Sequence, residues 1–271
     1  NLTPRTARPP NNQLMLNPNN THTHLISQLK KYFKEAKFKH AVIGLSGGLD
    51  SAVTLKLLVD TLGPENVTAL IMPEHGVTKD ENTSHAKRLA DFLRVRKFTI
   101  PINKYLLDLL QLPWQPSHLA QMNTKARARA IVLYNFANTN TALVVGTSNK
   151  SELALGYGTK HGDLAADIFP IGDLYKTGVY TLAEYLSLPD EIIKKAPTAE
   201  LYKDQTDEQE LGASYEQLDP LLQKLEETDN QSDADLDATS FGLTTPVLES
   251  ILDRIKKNKH KLESPYIIKR T

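Results

Sequence analysis

The sequence predicts an α/β fold in which an open, doubly wound parallel sheet carries helices on both faces. Four short runs rich in β-branched residues have the pattern of strands, and the first and the last of them have the pattern of buried strands. These runs span 41–46, 67–72, 97–102 and 142–147. Helical patterns at 51–62 and 79–93 separate the first three runs, so the order is β-α-β-α-β. Strands that alternate with helices in this way pair in parallel, and ligands bind beyond their carboxyl ends.

The rest of the chain divides into helical, polar and Pro/Asn-rich stretches. Residues 1–22 are rich in Pro and Asn and lack apolar periodicity, so we predict a flexible N-terminal arm. We predict one folded domain over 23–271, ending in a helical part and a basic tail. The polar segment 196–212 predicts a loop. Further helical patterns occur near 25–33, 103–112, 117–137, 214–227 and 245–257.

The composition excludes several classes of function. Lys plus Arg and Asp plus Glu number 32 each, so no net field favours a nucleic acid or an anionic membrane surface as a partner. No apolar run approaches the roughly 20 residues of a membrane span. The 271 residues include no cysteine, which excludes disulfides, thiolate metal sites and a cysteine nucleophile within this sequence. We therefore expect a cytoplasmic protein that holds anionic ligands at a local site.

A candidate phosphate-binding loop follows the first predicted strand. The sequence Ser-Gly-Gly-Leu-Asp-Ser at 46–51 leads into a helix, so backbone N–H groups and a helix N-terminus converge where a polyanion can bind. Asp50 is unexpected at an anion site unless it binds Mg²⁺, which takes carboxylate and phosphate oxygens together. The alternative is a tight turn with an Asp-Ser helix cap. The loop is not a Walker A motif, because no Lys-Ser or Lys-Thr pair follows the glycines.

The loop at 46–51 resembles the SGGxDS loop of the PP-loop ATP pyrophosphatases, which cleave ATP between the α and β phosphates. Three later segments, 123–130, 144–176 and 205–219, are similar in order and spacing to the NAD synthetases of that superfamily. The resemblance covers 25–261. It implies an adenine nucleotide alpha hydrolase-like fold and a homodimer. It also implies amidation of deamido-NAD by ammonia, with ATP as co-substrate and NAD, AMP and pyrophosphate as products.

The resemblance also assigns residues to the site. For ATP it implies Gly44, Ser46, Gly47, Gly48, Leu49, Asp50, Ser51, Arg129, Thr147, Lys176 and Thr198. For deamido-NAD it implies Asn123, Arg127, Tyr157, Lys160, Asp163, Asp167, Glu210, His260 and Lys261. For Mg²⁺ it implies Asp50, Glu152 and Thr198, and as catalytic residues it implies Asp50, Lys176 and Asp163. Asp163 would accept a proton from bound ammonium.

Local patterns support some of these assignments and leave alternatives. Glu152 follows a predicted strand at the same sheet edge as Asp50, so the two carboxylates are placed to share a metal. The alternative is an exposed glutamate at a helix start. Lys176 begins a helical pattern, where a cation is unfavourable unless an anion lies in front of it, and the alternative is a surface lysine.

One helix is predicted to present polar residues on two faces. Asn123 and Arg127 are four residues apart and share a face, whereas Arg129 points elsewhere. The alternative is a solvated basic face. The glycine-rich stretch 156–167 is too polar for a core and has the character of a functional loop.

Other functions remain open at this level. They are another PP-loop enzyme, such as a GMP synthetase-like amide ligase or a tRNA-modifying enzyme, and a non-catalytic nucleotide-binding module. We expect free ammonia as the nitrogen source, because glutamine-using enzymes usually form a thioester on a cysteine. We also expect the segment 196–212 and the basic tail to close over the site.

Overall fold

The protein, described here from a computed structural model over residues 17–108, 112–198, 202, 206–227 and 236–270, contains a parallel sheet of four strands. The strands are β1 (His40–Gly44), β2 (Val67–Ile71), β3 (Arg96–Thr99) and β4 (Ala142–Val145). Their order is β3-β2-β1-β4, and all three pairings are parallel. The connections reverse direction at β1, so β1 and β4 flank a topological switch point, where parallel sheets bind ligands.

Helices cover the sheet and form the C-terminal part. They are α1 (Pro18–Ala36), α2 (Leu49–Leu62), α3 (Asp80–Phe92), α4 (Asn103–Leu106), α5 (His118–Asn140), α6 (Lys150–Leu155), α7 (Lys176–Tyr185), α8 (Asp190–Ile193), α9 (Asp207–Leu211), α10 (Tyr215–Glu227) and α11 (Thr245–Asn258). In the described ranges no helix is both long and apolar enough to cross a membrane.

Strands β1, β2 and β4 are buried on both faces, as the sequence predicts for the first and the last of them, whereas most residues of the edge strand β3 are exposed. Ile43 of β1 belongs to a core formed with α1, α2 and α7, whereas its neighbour Val42 belongs to a core formed with α5. Successive residues of a strand point to opposite faces, so this division shows helices on both sides of the sheet. The predicted doubly wound α/β fold is confirmed.

The C-terminal helices have a core of their own. Leu218 and Leu221 of α10 are fully buried and pack in one cluster with Ile251 of α11. Leu155, the last residue of α6, belongs to the same cluster. This contact fixes the C-terminal helices beside the carboxyl end of β4, because α6 follows that strand directly.

The predicted boundary of the N-terminal arm is wrong. Helix α1 begins at Pro18, so 18–22 are helical and the predicted arm cannot extend to residue 22. The reason is local, since Asn17 caps the helix by accepting a hydrogen bond from the backbone N–H of Asn20 at 3.2 Å, and proline suits the first turn. Residues 1–16 of the predicted arm lie outside the described residues.

The segment predicted as a loop at 196–212 contains the helix α9. Thr206 caps this helix through the backbone N–H of Gln209 at 3.4 Å, and Gly212 ends it with a left-handed conformation. Residues 199–201 and 203–205 of the segment lie outside the described residues. The helix predicted at 103–112 is also shorter in its described part, because α4 ends at Leu106.

The loop after β1 places one testable demand on its glycines. Gly47 has φ +81°, and a Cβ there would lie 2.3 Å from the backbone oxygen of Asn82 at the start of α3. We expect Gly47→Ala to lower the free energy of unfolding by roughly 2–4 kcal/mol, through backbone strain and this overlap. Chemical denaturation measures the change.

Gly48→Ala is the matched control. Gly48 has φ −91°, and the nearest atom to a Cβ there is the Ser46 hydroxyl at 3.3 Å. The control should lose less than about 1 kcal/mol. Equal losses in the two variants would show that the Asn82 contact does not constrain the loop.

Candidate active site

The loop after β1 is held in shape by hydrogen bonds to its own serine hydroxyls. The Ser46 backbone N–H donates to Ser51 Oγ at 3.3 Å, and the Gly48 N–H donates to Ser46 Oγ at 3.1 Å. Gly48 is the N-cap of α2, and no side chain of the described residues caps that helix there. The first turn of α2 therefore faces the cavity with the polarity that favours an anion.

A cavity of about 560 Å³ lies at the carboxyl ends of β1, β2 and β4. It extends from the phosphate loop to the glycine-rich loop and to α9. Among the predicted residues it is lined by Gly44, Ser46, Gly48, Leu49, Asp50, Ser51, Asn123, Arg129, Thr147, Glu152, Tyr157, Asp163, Lys176, Thr198, Glu210 and Lys261. The structure thus brings residues from every predicted segment to one cavity at the switch point.

Lys176 is the centre of the charged part of this cavity. It is 2% exposed, its amine forms an ion pair with Asp50, and it lies 3.7 Å from Glu152 Oε1. Burial lowers the pKa of Lys176, but the charges of Asp50 and Glu152 outweigh burial and raise it above its usual range. The surface-lysine alternative is therefore wrong, and carboxylates supply the negative charge in front of α7.

Asn149 joins the two carboxylates. Its side-chain amide donates to Asp50 Oδ1 at 2.9 Å, and its side-chain oxygen accepts from the Glu152 backbone N–H at 3.0 Å as the cap of α6. Burial, and then the nearby charge of Asp50, raise the pKa of Glu152 well above its ordinary value. The alternative of an exposed helix-start glutamate is wrong, because only 17% of this side chain is exposed.

Asp207 was not predicted as a site residue, yet it is 3% exposed and lines the cavity. Its carboxylate accepts hydrogen bonds from the Tyr157 hydroxyl at 3.2 Å and the Tyr215 hydroxyl at 3.1 Å. Burial raises its pKa, although Lys176 opposes that shift. The available signal was the Thr-Asp-Glu-Gln sequence at 206–209, a capping pattern that predicts a helix start where a loop was predicted.

The donor set fits a magnesium ion. Asp50 and Glu152 raise each other's energy when both are charged, and Asp207 adds a third acidic group against one lysine. Mg²⁺ is usually held by one or two carboxylates together with substrate phosphates, so Asp50 and Glu152 suffice. Within the described ranges no group of three His, Cys, Asp or Glu side chains forms a metal cluster by itself.

The two faces predicted for α5 are confirmed. Asn123 Oδ1 accepts from the Thr159 hydroxyl at 2.8 Å, and Arg127 Nε donates to the Lys160 carbonyl at 3.2 Å. Both contacts are with the glycine-rich loop. Arg129 points the other way, where its Nε donates to the Met72 carbonyl at the end of β2 at 3.1 Å.

The C-terminal tail packs on the glycine-rich loop. Lys261 Nζ donates to the carbonyls of Gly156 at 2.9 Å and Gly158 at 2.8 Å. Lys160 Nζ donates to the His260 carbonyl at 2.6 Å. The loop and the tail are therefore held together by one lysine from each of them.

Asp163 lies at the cavity side of the glycine-rich loop. Its carboxylate accepts from the Thr159 backbone N–H at 3.0 Å. The residue keeps solvent access, yet protein atoms surround the carboxylate closely enough that burial raises its pKa. Such a group holds a proton more readily than an ordinary aspartate.

Several predicted residues lie outside the cavity wall: Gly47, Arg127, Lys160, Asp167 and His260. Asp167 has a contact in the fold, because its carboxylate accepts from the Val144 backbone N–H at 2.7 Å and so stabilises β4. The His260 ring contacts the Lys257 carbonyl at 3.0 Å on the exposed tail. The Asp167 and His260 side chains therefore contact the protein's own backbone and do not face the cavity.

The strand order, the loop after β1 and the lysine–carboxylate cluster beside it define an α/β enzyme of the PP-loop class. A sequence model of the NAD synthase family matches residues 21–265. The chain therefore belongs to the NAD synthase family.

Named relatives support this membership. The NH(3)-dependent NAD(+) synthetase of Fusobacterium nucleatum is 38% identical over 258 residues, which cover 95% of this chain and 98% of that one. The enzyme of the same name from Methanocaldococcus jannaschii is 43% identical over 249 residues, covering 89% and 95%.

Two solved structures are similar throughout. The NH3-dependent NAD synthetase from Campylobacter jejuni has a TM-score of 0.78 and 33% identity, and the match covers 94% of this chain and 100% of that one. The NMN synthetase from Francisella tularensis has a TM-score of 0.80 and 31% identity, covering 93% and 99%.

The raised pKa of Glu152 predicts a pH-dependent stability. Above its ordinary pKa of 4.5 the unfolded chain loses this proton freely, whereas the folded protein loses it only at higher pH. The native state therefore loses stability as pH rises from about 4.5 through the raised pKa. Glu152→Gln removes this loss, so its melting temperature should exceed that of the wild type by roughly 2–4 °C at pH 8.

The measurement uses metal-free, nucleotide-free protein between pH 4 and 8. The two melting temperatures should converge toward the acid end of this range, where the protonated Glu152 of the wild type and the glutamine of the variant are both neutral. A wild type that is more stable than Glu152→Gln at pH 8 would show that Lys176 stabilises the charged glutamate more than burial and Asp50 destabilise it.

Proposed function

We propose that the protein joins ammonia to the nicotinate carboxylate of deamido-NAD at the expense of ATP, giving NAD, AMP and pyrophosphate. The observation that carries the proposal is the buried Lys176 amine between Asp50 and Glu152, beside the phosphate loop and facing a cavity. The names of the relatives support the same reaction. It completes NAD biosynthesis.

The reaction needs no nucleophile from the protein. A carboxylate oxygen of the substrate attacks the α-phosphorus of ATP, and the bond to the β-phosphate breaks to release pyrophosphate. The product is a mixed anhydride of the substrate and AMP. Ammonia then attacks the carbonyl carbon, AMP leaves with the bonding electrons, and a proton is lost from nitrogen. The enzyme contributes position, fixed charge and the exclusion of water.

Lys176 supplies fixed positive charge to the phosphates. A buried ammonium that is already held in place stabilises developing charge without having to reorganise during the reaction. The N–H groups in the first turn of α2 would add donors on the same side of the cavity. Arg129 and Thr147 would line the adenosine part of the site.

Mg²⁺ would be held by Asp50 and Glu152, with Thr198 and phosphate oxygens completing its ligands. Bound there, the ion would offset the negative charge of the departing pyrophosphate. Its presence would also relieve the repulsion between the two carboxylates. Thr198 lies in the wall of the same cavity.

The glycine-rich loop would bind deamido-NAD. Asn123, Tyr157, Glu210 and Lys261 line the cavity, and the Tyr157 hydroxyl donates a hydrogen bond to Glu210 at 2.5 Å. Asp163 would accept a proton from bound ammonium. Arg127, Lys160, Asp167 and His260 stay predictions as ligands, because their present contacts are with the fold.

Closure of the segment 196–212 would keep water from the adenylate. Its described residues already enter the cavity wall, since Thr198, Asp207 and Glu210 line it. Lys261 of the tail also lines this cavity and binds the glycine-rich loop. A lid of this kind protects an activated carboxylate from hydrolysis.

A second candidate substrate is the mononucleotide of nicotinate. Similarity to a protein named NMN synthetase favours this candidate, and the two amidations use the same activated carboxylate. The relatives named NAD(+) synthetase favour the dinucleotide.

The homodimer and the cytoplasmic location stay predictions from the family resemblance and the composition. Leu119 and Ile131 of α5 are 63% and 70% exposed and offer apolar surface to a second copy. Light scattering would report a single-chain mass if the homodimer is wrong.

The decisive assay supplies purified protein with ATP, Mg²⁺ and either deamido-NAD or the mononucleotide. We expect NAD from deamido-NAD with ammonium chloride, a rate that rises with pH as more ammonia is free, and no comparable rate with ammonia-free glutamine. Faster amidation of the mononucleotide would transfer the proposal to that substrate. Comparable turnover with glutamine would refute ammonia as the direct nitrogen source.

Asp50→Asn tests the role of the site in the same assay. We expect it to abolish formation of AMP, because the variant lacks both the metal ligand and the partner of Lys176. Asp173→Asn is the matched control, since Asp173 pairs with Lys150 at 3.0 Å with 94% of its side chain exposed. The control should keep wild-type activity.

A further inference from the structure

The N-terminus of α7 is capped by other helices. Lys176 is the first residue of α7, and its N-cap residue Tyr175 makes no side-chain hydrogen bond to the first turn among the described residues. Instead the Lys176 backbone N–H donates to Ser151 Oγ at 2.9 Å. The Thr177 backbone N–H donates to Asp219 Oδ2 at 2.8 Å. The N–H groups of the first two residues are therefore bound by side chains from α6 and α10.

Asp219 connects these contacts. Its other carboxylate oxygen accepts from the Ser151 hydroxyl at 2.5 Å, and both side chains are fully buried. A carboxylate in front of a helix N-terminus interacts favourably with the helix dipole, and hydrogen bonds to a charged acceptor are among the strongest in proteins. One buried group on α10 thus holds the start of α7 and, through Ser151, the start of α6.

The two elements that Asp219 joins carry the charged residues of the site. Ser151 immediately precedes Glu152, and Thr177 immediately follows Lys176. A shift of α7 relative to α6 would move the Lys176 amine relative to both Asp50 and Glu152. Asp219 does not line the cavity wall, so we expect it to act on the site through the groups that it binds.

We propose that Asp219 is a positioning residue for the adenylation step. By capping α7, both directly and through Ser151, it holds the Lys176 amine in position against the phosphates. The assignment rests on the proposed function. It goes beyond that function because it names a residue on the C-terminal helices as necessary for the geometry of the phosphate site. Ser151 is the connecting group between Asp219 and Lys176.

Asp219→Asn tests the assignment with little change in volume. An amide has one oxygen to accept hydrogen bonds, so either Ser151 or the Thr177 N–H loses its acceptor. We expect kcat to fall by about 10- to 100-fold, the scale for a misplaced catalytic group. The KM for deamido-NAD should change by less than about threefold, because its site lies elsewhere in the cavity.

A cycle with Lys176→Met separates positioning from general structural damage. If Asp219 acts through Lys176, adding Asp219→Asn to Lys176→Met lowers kcat no further. An equal fold-loss in both backgrounds would overturn the assignment, as would a wild-type kcat in Asp219→Asn. Ser151→Ala provides a second variant should Asp219→Asn fail to fold, and it is expected to give a smaller loss with the same non-additivity.

Glu226→Gln is the matched control on the same helix. Glu226 accepts from the Tyr175 hydroxyl at 2.9 Å and pairs with Lys150 at 2.8 Å, so it also ties α10 to the segment before α7. It does not bind the N–H groups of α7, and kcat should stay at the wild-type value.

A wild-type protein that makes neither NAD nor the mononucleotide amide would refute the proposed function and leave a separate test of Asp219. The same double-mutant cycle is then measured as the Kd of the protein for the α,β-methylene analogue of ATP in the presence of Mg²⁺. Weaker binding in Asp219→Asn that disappears in the Lys176→Met background supports positioning. Additive losses in Kd overturn it.

Discussion

The site depends on one buried lysine held among carboxylates. Lys176 is 2% exposed, and an ammonium group so far from water is stable only when it is paired and hydrogen bonded. Asp50, Glu152 and Asp207 supply the charge from α2, α6 and α9. Three helices must therefore meet at the carboxyl edge of the sheet, and the strand order places β1 and β4 so that they can.

The cluster contains three carboxyl groups and one ammonium group, so its charges do not balance within the protein. Burial raises the pKa of both Glu152 and Asp207, so these acids are less stable as anions than in water. A divalent cation and a polyphosphate would bring opposite charges to the same place. The folded protein thus carries an electrostatic cost at this site that a bound cation and polyphosphate would relieve, a common cause of the conflict between stability and activity.

Much of the fold and part of the site follow from local sequence. The strands and the phosphate loop were predictable because their signals lie within a few residues, as were the cavity positions of Asp50, Glu152 and Lys176. Asp207 and Asp219 were not, because their importance comes from partners far along the chain, such as Tyr157 and Ser151. The arm boundary failed for a local reason, since the Asn-Pro cap at Asn17 was not recognised as a helix start.

The most direct test of the central claim is a double-mutant cycle in the free energy of unfolding between Lys176→Met and Asp50→Asn, without metal or nucleotide. Lys176→Met alone leaves buried carboxylates unpaired and should cost about 3–5 kcal/mol. The double variant should lose less than the sum of the single losses by about 1–3 kcal/mol, because it removes both charges of the pair. Losses that add within about 0.5 kcal/mol would contradict the claim that this ion pair holds the site together.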